Sequence, residues 1–176
     1  DVEMMTDMET LKRTNPEQYN AYQMIANTHH SFFLTGKAGT GKTTFLKKIQ
    51  QEVAKNFLVL APTGLAAINV GGQTIHSFFG FKFGVLGPGE TGILNPNKIA
   101  LVKHIDTIII DEVSMVRCDL IDAMDRTLRL YRKNSAPFGG VQMVFVGDMF
   151  QLEPVALPQD REILHEIYGT DRCYFY

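Results

Sequence analysis

Short apolar runs alternate with longer amphipathic stretches along most of the chain. A short, continuous apolar run is typical of a strand buried on both faces, whereas apolar residues three and four positions apart are typical of a helix. Their alternation is the βαβ pattern of a parallel sheet covered by helices, so the sequence predicts an α/β fold. The predicted strands span residues 31–35, 56–61, 107–111 and 141–147, and the predicted helices span residues 16–28, 42–55, 64–70 and 119–132.

Two segments depart from this alternation. Residues 1–14 form a polar leader, which we separate from a domain spanning residues 15–176. At the start of that domain, Asn15 followed by Pro16 is typical of a helix start. Residues 80–97 are rich in Gly, Pro and Phe and show no clear periodicity. Because a connection of this length in a compact domain is often functional, we expect it to carry a function.

Length and charge limit what the chain can do. Its 176 residues correspond to about one domain. A formal net charge of -2 argues against nucleic-acid binding through a strongly basic surface, so such a partner would be held by individually placed groups. The longest apolar runs, such as residues 57–61, are far shorter than the roughly 18 residues that cross a bilayer, so we expect no membrane partner.

The most specific motif lies at residues 36–43, which match the GxxxxGK[ST] pattern between a predicted strand and a predicted helix. The glycines let successive N–H groups point at phosphate oxygens, and the following helix adds its positive N-terminal end. Lys42 is expected to reach the β- and γ-phosphates, and the Thr43 hydroxyl to bind Mg²⁺. A Gly-rich turn without a ligand would explain the glycines but not the Lys-Thr pair. The predicted nucleotide-binding residues are Gly36, Ala38, Gly39, Thr40, Gly41, Lys42, Thr43 and Thr44.

Two adjacent carboxylates, Asp111 and Glu112, follow the apolar run at 108–110. Asp111 suits Mg²⁺, and Glu112 suits a general base that polarises an attacking water. The pair could instead cap the next helix, but its combination with a phosphate loop favours hydrolysis of a nucleotide.

A third strand also ends in polar residues, with Asp148 directly after it and Gln151 a few positions on. Ligands of open parallel sheets lie at the carboxyl ends of the strands, so both side chains should face the crevice that holds Lys42 and Asp111. Gln151 could sense the γ-phosphate through its amide. The alternative is a plain turn with Gln151 on the surface.

Four further stretches carry a family resemblance, at residues 61–67, 71–79, 110–115 and 147–155. Together with the phosphate loop, and in the same order, they are similar to the motifs of the helicases named for petite integration frequency. These Pif-type helicases are superfamily-one DNA helicases related to the RecD group. The resemblance implies a P-loop, RecA-like first motor domain that uses ATP and Mg²⁺ to move 5′ to 3′ on single-stranded DNA. It also implies that residues 80–100 form an inserted wedge segment.

The resemblance assigns roles residue by residue. Gln18 matches the glutamine that reads adenine, and Gln151 matches the one that couples the γ-phosphate to DNA. Lys42, Asp111 and Glu112 match the phosphate contact, the magnesium ligand and the catalytic base. Residues 112–124 resemble the family's signature helix, although an amphipathic core helix would have the same pattern.

The DNA contacts implied by the resemblance follow two predicted elements. They are Pro62, Thr63, Gly64, His76, Ser77 and Phe78. Backbone amides and hydroxyls suit phosphates, and Phe78 or Phe79 would suit base stacking. Three alternatives stay open: His76 could make a structural hydrogen bond, Phe78 could lie in the core, and Phe81 and Phe83 could pack inward.

The family pattern further implies a monomer that acts on single-stranded DNA and on single/double-strand junctions. It implies an intracellular location, which is cytoplasmic in a bacterium and nuclear or mitochondrial in a eukaryote. DNA repair, recombination or telomere maintenance would be its pathways.

The two ends of the sequence suggest a fragment. Asp1 is not an initiator, and residues 173–176 end inside an apolar run. The family resemblance implies a second motor domain with an arginine finger, which we expect to lie outside this sequence. By itself the fragment would bind nucleotide without being a complete motor. The alternative from another class is a P-loop ATPase that remodels proteins.

Overall fold

The computed structural model describes residues 2–36, 41–148 and 157–168, and within this part the chain forms a five-stranded sheet with helices on both faces. The strands are β1 (Phe32–Thr35), β2 (Phe57–Ala61), β3 (Gln73–Thr74), β4 (Thr107–Ile110) and β5 (Gln142–Gly147). The α-helices are α1 (Val2–Thr14), α2 (Pro16–Asn27), α3 (Lys42–Glu52), α4 (Gly64–Val70), α5 (Ile75–Phe79), α6 (Pro96–His104), α7 (Cys118–Arg132) and α8 (Pro158–Tyr168). Two 3₁₀ turns cover Val113–Met115 and Pro137–Gly140.

All strand pairs in the described sheet are parallel, and the strand order is β1-β5-β4-β2-β3. The predicted α/β class, a parallel sheet flanked by helices, is confirmed. Because parallel strands end at the same edge, the residues that follow β1, β2, β3, β4 and β5 all gather at one edge of the sheet.

The two faces of the sheet bury separate cores. Along β4, Ile108 and Ile110 face the core under α5, α6 and α7, and Ile109 faces the core under α2 and α3. All three are 0% exposed, and burying each side chain contributes roughly 2 kcal/mol. A strand buried on both faces needs a continuous apolar run, which is why this one was visible in the sequence.

Capping fixes the helix bounds that the sequence predicted best. The Asn15 side chain accepts a hydrogen bond from the Gln18 N–H at 3.1 Å, with Pro16 at the first helical position. Helix α3 is shorter than predicted and ends at Glu52. Beyond it the chain turns back, and the Lys55 ammonium donates to the Thr28 carbonyl at 2.7 Å.

The leader is a helix, which the sequence analysis did not predict. In α1, Met8 and Leu11 pack against the core beneath α2, and Lys12 Nζ lies 5.5 Å from the centre of the Tyr19 ring.

The irregular segment 80–95 is fastened along α7. Its buried side chains Phe81, Leu86 and Leu94 join the core, and polar side chains of α7 satisfy its backbone. The hydrogen bonds join Leu86 N–H to Asp119, the Gly87 and Glu90 carbonyls to Arg126, Gly92 N–H to Thr127, and Leu94 N–H to Tyr131. The end of the predicted 80–100 insertion is helical, because α6 begins at Pro96.

None of the helices within the described ranges combines the length and apolar character needed to cross a bilayer.

Candidate functional site

The strand register aligns the predicted catalytic residues at one edge. Thr35 pairs with Gly147, so Gly36 and Asp148 follow neighbouring strand ends. Ile110 pairs with Phe145 on the other side of β5, and Asp111 comes next. The ends of β1, β5 and β4 therefore converge where the phosphate loop enters α3.

The N-terminus of α3 is built to receive an anion. Gly41 adopts a left-handed conformation (φ 79°) that only glycine enters without strain, and it offers no side chain to cap the helix. The first N–H groups of α3 therefore have no side-chain cap among the described residues, and such N–H groups suit phosphate oxygens. Lys42 Nζ donates to the Gly36 carbonyl at 2.6 Å, within the same loop. Ala38, Gly39 and Thr40 lie outside the described residues.

The carboxylate pair lies opposite this loop. Burial raises the pKa of the Asp111 carboxyl, against the opposing effects of the Glu112 backbone N–H and the nearby Lys42 ammonium. Glu112 has φ 54°, a left-handed conformation that is costly for a residue with a side chain. Such strain is often retained at functional positions, and here it occurs where the chain leaves β4 and enters the turn Val113–Met115.

The donor set fits a magnesium nucleotide. Mg²⁺ in nucleotide sites is held by one or two protein oxygens, phosphate oxygens and water. The Thr43 hydroxyl and the half-buried Asp111 carboxylate are hard oxygen groups that would hold Mg²⁺, and Lys42 with the α3 amides would donate to phosphate. No cluster of three or more His, Cys, Asp or Glu side chains that could hold a metal ion occurs in the described ranges.

The turn after Glu112 packs directly on the end of β5. A Cβ on Gly147 would lie 3.2 Å from both the Val113 amide nitrogen and its Cγ1. The next residue, Ser114, is 5% exposed, and its hydroxyl has no hydrogen-bond partner among the described residues. A buried hydroxyl without a partner is commonly satisfied by water or ligand, so the turn is poised to accept a further contact.

Gln18, the predicted adenine-reading residue, lies in the first turn of α2. The Thr35 hydroxyl, at the end of β1, donates to Glu17 Oε1 at 3.1 Å. This bond ties the first turn of α2, which carries Gln18, to the strand that leads into Gly36. Gln151, the predicted γ-phosphate sensor, lies outside the described residues.

The predicted DNA-contacting residues follow the other two strands. Pro62, Thr63 and Gly64 come after β2, and His76 and Ser77 lie in α5 after β3. The Thr63 hydroxyl accepts the Ala66 N–H at 3.3 Å and so caps α4. Gly64 and Ser77 are exposed. The nucleotide and DNA candidates thus occupy adjacent halves of one sheet edge.

The aromatic prediction needs correction. Phe78 and Phe79 are 1% and 0% exposed and lie in the core, so neither ring is available to a base in this conformation. Their helix α5 is only one turn long, too short for periodicity to reveal its buried face. The exposed ring belongs to Phe83, which is 85% exposed and stacks on His76 with 5.2 Å between ring centres. Burial, and secondarily the Arg117 charge, lowers the pKa of His76, which favours the neutral imidazole near pH 7.

Comparison with known proteins decides the family. A family model described as PIF1-like helicase matches residues 13–168. The chain belongs to the PIF1-like helicase family. The predicted P-loop, RecA-like fold is confirmed by the solved PIF1-like structures below.

Three relatives illustrate the similarity. The ATP-dependent DNA helicase PIF1 of Saccharomyces cerevisiae is 40% identical over 148 residues, which cover 78% of this chain and 17% of the yeast protein. The Bacteroides Pif1 bound to single-stranded DNA has a TM-score of 0.84 and 45% identity, covering 92% of this chain and 37% of that one. The Bacteroides Pif1 in complex with ADP-AlF3 and single-stranded DNA also has a TM-score of 0.84 at 45% identity, covering 90% and 37%. The chain therefore spans a minority of the length of these PIF1-like relatives.

In this PIF1-like chain, three arginines of α7 and its N-cap have structural partners. Arg117 donates to Asp119, Asp160 and the Gly84 carbonyl, and Arg126 donates to carbonyls of the segment 80–95. Arg129 donates to Asp125 and the Ser135 carbonyl. The bonds from Arg117 to Gly84 and from Arg126 to Gly87 and Glu90 hold the segment that presents Phe83. These three carbonyls are more than 30 residues away in sequence, so no local motif predicted the contacts.

Gly147→Ala should slow nucleotide hydrolysis by roughly tenfold, because the new methyl group would push on the Val113 turn and displace Glu112 by a few tenths of an ångström. The measurement is the ATP hydrolysis rate of the complete motor, with nucleotide affinity measured alongside. Gly87→Ala is the matched control, since its Cβ would meet only the Glu90 carboxylate at an ordinary 3.5 Å. An unchanged rate in Gly147→Ala would show that this contact does not position Glu112.

Proposed function

We propose that this chain is the first motor domain of an ATP-dependent DNA helicase that moves 5′ to 3′ on single-stranded DNA. The observation that carries the proposal is the sheet edge, where a phosphate-binding helix terminus and two carboxylates adjoin a half that exposes an aromatic ring and hydroxyl groups. Support comes from the relatives, which are called ATP-dependent DNA helicases or were solved with single-stranded DNA and ADP-AlF3.

The chemistry follows from the nucleotide half. Lys42 and the α3 amides bind the phosphates and stabilise the negative charge that develops on the γ-phosphoryl group. Thr43 and Asp111 would hold Mg²⁺, which neutralises charge on the phosphate oxygens when bound. Glu112 orients a water molecule in line with the γ-phosphate and accepts its proton as the bond to ADP breaks.

The DNA half of the sheet edge supplies the contacts to single-stranded DNA. A neutral His76 beneath Phe83 makes an uncharged stacking surface, which suits bases because every base has a π face. Hydroxyl and backbone groups near Thr63 and Ser77 suit phosphates. A chain with a net charge of -2 can bind DNA through such local contacts, without a basic surface.

Further features belong to the proposal. The motor domain covers residues 15–176, with residues 80–100 as a wedge at the single/double-strand junction and Gln151 as γ-phosphate sensor. The second motor domain would add the arginine finger. We propose a monomer, located inside the cell and serving repair, recombination or telomere maintenance.

Strand polarity tests the proposal most directly. The complete motor should unwind a duplex with a 5′ single-stranded tail and leave the 3′-tailed duplex intact, and its ATP hydrolysis should rise with single-stranded DNA. Preference for the 3′ tail would overturn the direction. Hydrolysis indifferent to DNA would instead favour an ATPase that remodels proteins.

Phe83→Ala should weaken single-stranded DNA binding by about tenfold, since stacking on an aromatic side chain is worth roughly 1–3 kcal/mol per base. ATP affinity should not change, because Phe83 contacts His76 in the DNA half. Fluorescence anisotropy of a labelled oligothymidine measures the effect. Leu130→Ala, which trims another exposed apolar side chain (56% exposed), is the control. DNA affinity equal to wild type would remove Phe83 from the interface.

A further inference from the structure

A cleft of about 530 Å³ lies at the sheet edge opposite the nucleotide half. Its floor is Phe57, the first residue of β2, whereas Pro62 follows the last residue of that strand. A five-residue strand spans about 16 Å, so the cleft is separate from the nucleotide and DNA residues. Nothing in the proposed function uses it.

The cleft combines an apolar wall with a single lysine. Ala100, Leu101 and Ile105 line the wall, and Leu101 is 43% exposed. Lys55 and His104 also line the cleft, and no carboxylate is among the lining residues that the structure describes. A partly apolar cavity of this size, with a few polar groups, is typical of a binding site.

Among the residues that the structure describes, the Lys55 ammonium has no ion-pair partner. It donates to two neutral oxygens, the Thr28 carbonyl at 2.7 Å and Gln142 Oε1 at 3.2 Å. None of the ion pairs among the described residues includes Lys55. Asp106 acts on it only from a longer distance, and Asp106 Oδ2 already accepts the Asn56 N–H at 2.7 Å. An ammonium has three donors, so one remains for a ligand.

The neighbouring polar side chains already donate to other groups. Asn56 Nδ2 donates to the His104 carbonyl and Gln50 Nε2 to the Leu46 carbonyl, so both amide groups are held in place. The group in the cleft that can donate to an anion is therefore the Lys55 ammonium.

We propose that this cleft binds an acidic peptide of a partner protein, with a carboxylate on Lys55 and a neighbouring apolar side chain against Leu101. A peptide carboxylate would accept a charge-assisted hydrogen bond from the third N–H of the Lys55 ammonium. A nucleic-acid backbone fits less well, because it is bound through several basic groups along a strip and here a single lysine faces an apolar wall.

The probe is a fluorescein-labelled peptide that alternates aspartate with leucine and phenylalanine, compared with the same peptide carrying asparagine in place of aspartate. Added to the ¹⁵N-labelled 176-residue chain, the acidic peptide should shift the amide signals of Phe57, Leu101 and Ile105 but not that of Lys42. The asparagine peptide should bind at least tenfold more weakly, the typical effect of losing a charge-assisted hydrogen bond.

Three variants sharpen the test. Lys55→Met and Leu101→Glu should each weaken the acidic peptide by about tenfold or more, and Lys47→Met, which removes an exposed lysine elsewhere, should stay within about twofold. Leu101→Glu keeps the test valid if Lys55→Met misfolds, because Leu101 is a partly exposed surface residue. ATP affinity should be unchanged in all three.

The proposal is overturned if both cleft variants bind the acidic peptide like wild type, or if the asparagine peptide binds equally well. Displacement of the peptide by an oligothymidine would assign the cleft to nucleic acid instead. Each outcome is independent of helicase activity, so it leaves the proposed function untouched.

Discussion

Lys42→Ala is expected to lower ATP hydrolysis by the complete motor by at least about 100-fold and to weaken nucleotide binding. Lys42 lies in the first turn of α3, where its ammonium can leave the Gly36 carbonyl for the β- and γ-phosphates. Removing one preorganised donor from a developing oxyanion costs roughly 100- to 1,000-fold in rate. The effect arises in the transition state and therefore exceeds the loss in affinity.

The measurement combines steady-state hydrolysis with titration of a fluorescent ADP analogue. Lys47→Ala is the matched control, since Lys47 is an exposed lysine on the same helix. Urea unfolding should differ by only about 1 kcal/mol between Lys42→Ala and wild type, because the chain loses one ordinary hydrogen bond. Hydrolysis equal in wild type and Lys42→Ala would contradict the assignment of residues 36–43 as the phosphate loop.

Elements whose limits are set locally were predictable from the sequence. Helix α4 has the predicted bounds because Thr63 caps its start and Gly71, at φ 68°, ends it. The buried strands were visible because both faces of the sheet demand apolar residues, as in Ile108–Ile110. The phosphate loop was also predictable, because all of its functional residues are consecutive in the sequence.

Features that depend on distant residues were not predictable. Helix α5 is short, α6 is weakly patterned, and β3 has only two residues. The segment 80–95 owes its course to hydrogen bonds from α7, not to any pattern of its own. The sequence analysis named Phe78 for base stacking, but the fold buries Phe78 and leaves Phe83 exposed.

The catalytic edge combines both kinds of information. Asp111 and Glu112 could be named from the sequence, but the left-handed Glu112 and the close approach of Gly147 to Val113 required the neighbouring strand. Conformational strain at Glu112 is sustained by that packing. The identity of the catalytic residues can thus be read from the local sequence, whereas their positions in space depend on tertiary packing.

Glu112→Gln should separate binding from hydrolysis. Glutamine has nearly the shape of glutamate and can keep the turn at Glu112, but its amide cannot accept the proton of the attacking water. Loss of a general base typically costs roughly 100- to 10,000-fold, so kcat should fall by that factor. Affinity for Mg·ATP should change little, because Lys42, Thr43 and Asp111 are untouched.

Asp111→Asn is the contrasting variant, since it removes the proposed magnesium ligand and should weaken Mg·ATP binding as well as hydrolysis. Titration with Mg²⁺ at fixed ATP distinguishes the two: Glu112→Gln should saturate like wild type, and Asp111→Asn should require more metal. The Glu112→Gln motor should also stay on single-stranded DNA while ATP is bound, since hydrolysis would be needed to complete the cycle. If Glu112→Gln instead hydrolyses ATP at the wild-type rate, another group is the base.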